Sequence, residues 1–227
     1  GLLEPVLHDA LGTAALNSTT GEFRAGARSF WSTQSDGNQV RIGGANEQVP
    51  NYAPGNRRLY TWLHNIARPS PVLSSYQNAV EEGNTDLQAR HLGVASDARK
   101  EQIEWLRGRD VDDENANGSV LDQRHIIGAP MHSPPVSIRY GSTDAFDESA
   151  VTLIFMATNW GVLHAFDAAT GEENFAFIPM ELLASQQRKV ELRPDPQYVY
   201  GLDGAATVWR HDRDGDGLRA SDQDDFA

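Results

Sequence analysis

Apolar positions along the chain fall into two regimes. From residue 126 onward they come as short runs separated by turn residues. Val136-Ser137-Ile138-Arg139-Tyr140 alternates apolar and polar, the period of a strand with one buried face. Pro134 and Pro135 stand at its start, where a missing donor is tolerated. Val151 to Ala157 is almost unbroken apolar sequence, which predicts a strand buried on both faces. Asn159-Trp160-Gly161 then turns into Val162–Phe166, and Asp167–Gly171 turns into Phe175–Ile178. Four consecutive strands joined by short turns predict one four-stranded antiparallel blade, and a helical stretch follows from Met180 to Gln187.

Before residue 126 the pattern is mixed. Leu3, Val6, Leu7 and Leu11 have helical spacing within Leu2–Leu16, with Pro5 restricting where that helix starts. Ser29–Ser32 and Gln39–Ile42 flank Ser35-Asp36-Gly37-Asn38, a hairpin signal. Arg58–Leu63 reads as a further strand. Between Thr85 and Arg107 the spacing is helical, with Thr85 and Gln88 as a capping box and Ser96 as the cap of a second helix that stops at Gly108. The polar stretch Arg109–Gln123 is the expected boundary between a loop-rich region, 1–125, and a β region, 126–227. The fold class expected is therefore mainly β with a mixed α/β N-terminal part, the β region being an incomplete propeller. About two blades of chain follow residue 126, whereas a ring needs at least four of about 40 residues each.

Composition narrows the function. A formal charge of −13 with only two lysines, Lys100 and Lys189, leaves no basic stripe for nucleic acid. The chain has no cysteine, which removes disulfides, thiolate zinc sites and thiol catalysis. No apolar run reaches the length of a membrane-spanning helix, and no signal peptide is visible. Position 1 is Gly rather than Met, so a processing or cloning boundary is expected there.

Among residues that carry chemistry, the aspartates are the clearest group. Asp212-Arg213-Asp214-Gly215-Asp216-Gly217-Leu218 places carboxylates at alternate positions around a sharp glycine turn, the arrangement by which a loop surrounds Ca²⁺ with hard oxygen ligands. Asp212, Asp214 and Asp216 would ligate through side chains, Leu218 through its carbonyl, and Asp222 would close the loop. The bidentate glutamate of an EF-hand is missing, since its position is Gln223. The competing reading is an acidic surface loop, although aspartates so crowded repel one another without a cation. Asp113, Asn115 and Asn117, with Gly118 and then Asp122, form a weaker copy, for which a solvated linker and a calcium site stand level. Histidines 125, 132 and 164 lack zinc spacing, and no nucleophile elbow or phosphate-binding glycine loop occurs. No catalytic residue is expected.

A resemblance adds to this. Ala157-Thr158-Asn159-Trp160-Gly161-Val162-Leu163-His164-Ala165-Phe166-Asp167, with Thr170-Gly171-Glu172 and Phe175-Ala176-Phe177-Ile178-Pro179, resembles the signature of the PilY family of type IV pilus proteins. Gly128–Val136 resembles the family's lead-in to its propeller, and Tyr200-Gly201-Leu202-Asp203-Gly204 its Tyr-x-Val-Asp-Gly. Phe30-Trp31, Gly43-Gly44-Ala45, Arg58–Thr61 and Trp105–Gly108 match as well. Trp160 stands where the family has a turn Asp, and Ala129 where its lead-in has Asp. The resemblance implies a calcium-regulated propeller in a pilus-tip adhesin or biogenesis factor, extracellular or outer-membrane associated. Implied partners are minor pilins or the pilus tip and a host or abiotic surface. The alternative comes from Asp167–Gly171 before Phe175, which is similar to the docking turn of quinoprotein oxidoreductase propellers. Many alcohol-oxidising members of that class carry a vicinal cysteine pair, which this chain lacks.

Overall fold

Four of the apolar runs pair in the order in which they occur along the chain. The computed structural model describes residues 6–37, 39, 42–63, 72–141, 147, 149–186, 201–212, 215, 217–218 and 225–226. In chain order its elements are helix α1 (Gly44–Glu47), strand β1 (Leu59–Tyr60), helix α2 (Arg99–Arg107), strands β2 (Val136–Tyr140), β3 (Val151–Ala157), β4 (Leu163–Asp167) and β5 (Glu173–Phe177), helix α3 (Met180–Leu183), and strands β6 (Arg210–His211) and β7 (Asp225–Phe226). The expected antiparallel meander is β2 to β5, with Val136 opposite Phe155, Phe155 opposite Ala165 and Ala165 opposite Phe175. A bulge between Ala165 and Phe166 shifts the register before Glu173.

Strand alternation sorts the sheet into two faces. Val136, Ile138, Tyr140, Phe155, Phe175 and Phe177 share one face and border a hollow of about 500 Å³. His164 and Ala176 share the other, which packs on the main core. That core is built from both parts of the chain: Leu59, Leu87, Ile103 and Leu106 meet Ala176, Ile178 and Leu183. One apolar core thus crosses residue 125.

The chain is mainly β, as expected, but the sheet is open and five-stranded, and no propeller ring is present among the described residues. Its fifth strand is β1, which pairs parallel to β5 with Leu59 opposite Ala176. Of the Arg58–Leu63 run only Leu59–Tyr60 is strand, because the next amide, Thr61 N–H, turns to the carbonyl of Asn78 at 2.8 Å. Beyond the meander, among the described residues, the two-residue ladder β6–β7 continues the β region.

Several other expectations change. The described part of Leu2–Leu16 is not helical: Asp9 Oδ1 accepts the N–H groups of Leu11 and Thr13 at 3.0 and 2.9 Å, folding a tight turn between His8 and Ala14. Residues 1–5 lie outside the described set. The hairpin around Ser35–Asn38 is also absent among the described residues, since Asp36 draws in Ser29 N–H at 2.8 Å and Ser32 Oγ at 2.9 Å and curls the segment on itself. Residues 38, 40 and 41 of that hairpin lie outside the description. Strand β3 is less buried than expected: of its seven residues only Leu153 is buried, Val151 is 42% exposed and the others on both faces are half-buried. Helix α2 does end at Gly108, whose φ of 113° only glycine adopts freely. Ser96 instead opens a 3₁₀ turn leading into α2, without a side-chain cap. In place of a Thr85–Gln88 box, Asn84 Oδ1 accepts Asp86 N–H and His91 Nδ1 accepts Gln88 N–H. Helix α3 is shorter than expected, Met180–Leu183, and Gln187 lies outside the described residues.

The turn Asp167–Gly171 is stacked by Trp31 of the N-terminal region, not by another blade. A Cβ on Gly171 would lie 2.4 Å from the Trp31 ring, and φ there is +76°. Gly171→Ala should therefore destabilise the chain by roughly 1–3 kcal/mol through overpacking and a strained φ. Urea unfolding followed by tryptophan fluorescence checks this, and an unchanged midpoint would show that Trp31 is not held there.

Candidate functional site

The segments that carry the family resemblance are far apart in sequence and meet at one turn. Asn159 is its centre. Its N–H donates to Ala129 O at 2.9 Å and its Oδ1 accepts Ala129 N–H at 2.8 Å, tying the lead-in segment to the β3–β4 turn. Gly201 N–H donates to Asn159 O at 2.8 Å, and Leu202 N–H to Thr158 O at 3.3 Å. Gly201 must be glycine at this contact, since a Cβ would lie 2.3 Å from the Gly161 nitrogen. Ser133 Oγ donates to Gly204 O at 2.9 Å, and His132 Nδ1 lies 2.9 Å from Asp203 Oδ1. In this shared backbone knot each residue is a donor, acceptor or gap that the neighbouring segments require.

Trp160, the departure from the family pattern, has its own partners. The Arg124 guanidinium carbon lies 4.2 Å from the centroid of Trp105 on α2 and 5.5 Å from that of Trp160, a cation between two aromatic faces. His125 meets Trp160 edge-on at 6.4 Å. Arg124 Nε donates to Glu114 Oε1 at 2.8 Å and Trp105 Nε1 to the same oxygen at 3.2 Å. Glu114 belongs to the acidic loop, so this stack fixes that loop to helix and sheet together.

The weaker calcium candidate is well ordered. Asp113 Oδ1 accepts the N–H groups of Asn117 at 2.9 Å and Gly118 at 3.2 Å, Asn115 Oδ1 accepts Asn117 N–H, and Asn117 Oδ1 accepts Ser119 N–H. Gly118 has φ +84°. Asn117 Nδ2 donates to Asp122, whose carboxyl is held below the usual range by hydrogen bonds from Ser119 and then Asn117. The four candidates Asp113, Asn115, Asn117 and Asp122 are thus brought together, and a cation among them would replace the Asn117–Asp122 hydrogen bond. In the other loop Asp212 Oδ1 accepts Gly215 N–H at 2.7 Å and Oδ2 accepts Gly217 N–H at 3.1 Å. Leu218 is buried and its carbonyl accepts Gly141 N–H at 2.8 Å, leaving one lone pair for a ligand role. Asp214, Asp216 and Asp222 lie outside the described residues. Among the described residues no group of three or more His, Cys, Asp or Glu is placed to hold a metal ion; the Asp113 set has two acids and two amides.

The buried charges escaped sequence reading. Arg57 and Glu173 pair side-on, Nε to Oε2 at 2.6 Å and Nη2 to Oε1 at 3.1 Å, with side chains 2% and 0% exposed. His164 Nδ1 lies 2.7 Å from Glu173 Oε1 and, facing an ionised carboxylate, is the protonated nitrogen; His164 stacks on Phe166 at 5.5 Å. Arg57 Nη1 donates to Leu106 O at 2.8 Å. Burial raises the Glu173 pKa, but the Arg57 charge and the His164 hydrogen bond outweigh it and bring it to about 2. Nothing in the runs around Arg57 or Glu173 announces a pair 116 positions apart, since each looks like an ordinary surface charge.

No family model matches the chain, and no solved structure matches it. A type IV pilus biogenesis factor PilY1 homolog from Xylella fastidiosa is 27% identical over 142 residues, an alignment that takes in 54% of this chain and 12% of that protein. The chain therefore matches only a small part of that relative's length. Among the described residues no helix is long and apolar enough to cross a membrane.

A depressed carboxylate pKa stabilises the fold above its unfolded value near 4.5, and that stability is lost as pH falls through about 2. The chain should lose stability progressively between those limits. Glu173→Gln should remove Glu173's contribution to that pH dependence and, by leaving Arg57 buried without its counter-charge, cost roughly 3–5 kcal/mol at neutral pH. Urea melts from pH 2 to 7 measure both. An unchanged pH profile in Glu173→Gln would rule out this carboxylate as a source of the acid sensitivity.

Proposed function

We propose that this chain is part of a type IV pilus biogenesis factor or pilus-tip adhesin that works at the cell surface without catalysing a reaction. The similarity to the pilus biogenesis homolog carries the proposal. The knot at Asn159 supports it, because residues chosen by resemblance alone share one hydrogen-bonded site. In this reading the partners are minor pilins or the pilus tip together with a host or abiotic surface, and the sheet is one blade of a propeller.

The same reading assigns calcium to the acidic loops. Asp212, Asp214, Asp216, Asp222 and the Leu218 carbonyl would hold one ion, and Asp113, Asn115, Asn117 and Asp122 a second, weaker one. Supporting this, the first carboxylate of each loop accepts the N–H of the glycine five residues on, Gly217 or Gly118, so each loop already has the turn that a ligand cage requires. Binding would neutralise repelling carboxylates, giving a calcium-sensitive element next to the sheet.

Calorimetric titration of the 227-residue chain with Ca²⁺ should show saturable binding at about 10⁻⁴ to 10⁻³ M, the range of extracellular modules. Asp212→Ala should abolish the stronger event and Asp113→Ala the weaker one only. Identical isotherms in all three proteins would sink the calcium assignment. In the organism that encodes the chain, deleting the gene should abolish surface pili, and normal piliation would overturn the biogenesis role.

A further inference from the structure

A hollow of about 860 Å³ lies between the N-terminal segment and the β3–β4 turn, and no function proposed above uses it. Its wall is largely apolar and includes Leu7, Phe23, Phe30, Ile42, Met156 and Trp160. Four of these are well exposed, Leu7 at 52%, Phe23 at 47%, Phe30 at 67% and Ile42 at 52%. Large apolar side chains clustered in the open around a concavity mark a contact surface.

The charges around the hollow are unequal in their partners. Asp9 accepts hydrogen bonds from Leu11, Thr13 and Arg28 N–H groups, Asp36 from Ser29 and Ser32, and Glu114 from Arg124 and Trp105. Each carboxylate is thus engaged by its own surroundings. The Arg28 side chain is not. Among the described residues its guanidinium makes no ion pair or hydrogen bond, and its Nε is shielded from water with no partner at all. The two terminal nitrogens, which also make no hydrogen bond among the described residues, are open to the solvent side and can meet an acceptor. Guanidinium is built as a flat fork that matches a carboxylate. His8 and His125 also border the hollow, and among the described lining residues Arg28 is the permanent cation.

We infer that this hollow receives a polypeptide segment of a partner protein that presents a carboxylate beside a large apolar side chain, the carboxylate pairing with Arg28 and the side chain entering between Phe23, Phe30 and Trp160. The exposed apolar rim extends beyond what one small acid would cover, which favours a chain segment. An anionic lipid surface is a poor occupant for a chain of net charge −13. The inference rests on the hollow and on Arg28, and stands apart from both calcium binding and the pilus role.

The probe is the dipeptide acetyl-Leu-Phe with a free C-terminus, compared with its C-terminal amide and with phenylacetate, each titrated into the 227-residue chain by NMR. The free acid should bind roughly tenfold more tightly than the amide, and weaken as salt rises, through one charge-assisted pair. Arg28→Gln should erase the difference between acid and amide, and Arg28→Lys should retain part of it. Among the described residues the Arg28 side chain makes no hydrogen bond or ion pair, so both variants should keep the parent's thermal midpoint. Equal affinity for acid and amide, an undiminished preference in Arg28→Gln, or no saturable shift up to about 10 mM probe would overturn the site. Phenylacetate binding as tightly as the dipeptide would overturn the polypeptide assignment.

Discussion

Glu173 sits in β5 with its side chain fully buried, and a buried carboxylate has to be neutralised or it does not stay charged. Arg57 neutralises it, and this requirement organises much of the molecule. To reach Glu173, Arg57 brings the strand that follows it against β5, where Leu59 and Ala176 pair in parallel register. The same guanidinium holds Leu106 O at the end of α2. One residue therefore fixes a loop-rich segment, a helix and a sheet to each other. The apolar core formed where they meet supplies the favourable burial, while the ion group specifies the arrangement, because any other docking would leave a charge unpaired in low dielectric.

Arg124 does related work nearer the surface. It is held between Trp105 and Trp160 and bonded to Glu114, so the acidic loop, the helix and the β3–β4 turn share one cation. Here Trp160 has a visible role. A carboxylate at that position would give Arg124 an ion pair but no broad face to lie against, and the stack with Trp105 would lose its second wall. The knot at Asn159 adjoins this stack, so backbone hydrogen bonds and cation stacking reinforce the same turn.

What was legible in the sequence was local. The period-two run Val136–Tyr140 and the turns Asn159–Gly161 and Asp167–Gly171 predict the meander because strand alternation and positive-φ glycines are written within a few residues. Gly108 marks the end of α2 for the same reason. The helix expected over Leu2–Leu16 failed because apolar spacing says nothing about a competing aspartate: Asp9 offers the backbone a turn, and Leu7 and Leu11 find no core to pack on. The parallel pairing of β1 with β5 and the Arg57–Glu173 pair join positions more than a hundred residues apart, which no window of sequence contains. At the acidic loops, alternation of Asp and Asn with glycine foretells the turn, and the internal hydrogen bonds of Asp113–Ser119 follow it; Glu114, the residue that anchors that loop, looks from sequence like one more solvated acid.

The two faces of the sheet carry different duties, and the second acidic loop belongs to the face away from the ion group. On that face Phe155 and Phe175 meet edge-on at 6.1 Å, and Leu218 and Trp209 from the C-terminal segment border the same hollow. Leu218 is buried there while its carbonyl takes the Gly141 N–H just beyond β2. The loop beginning at Asp212 is thus joined to the sheet through one residue that supplies both an apolar side chain and a backbone acceptor. Moving Leu218 would reshape the hollow or release Gly141. A shift of Leu218 would thus reach the sheet directly, through its side chain against the aromatic face and its carbonyl on Gly141.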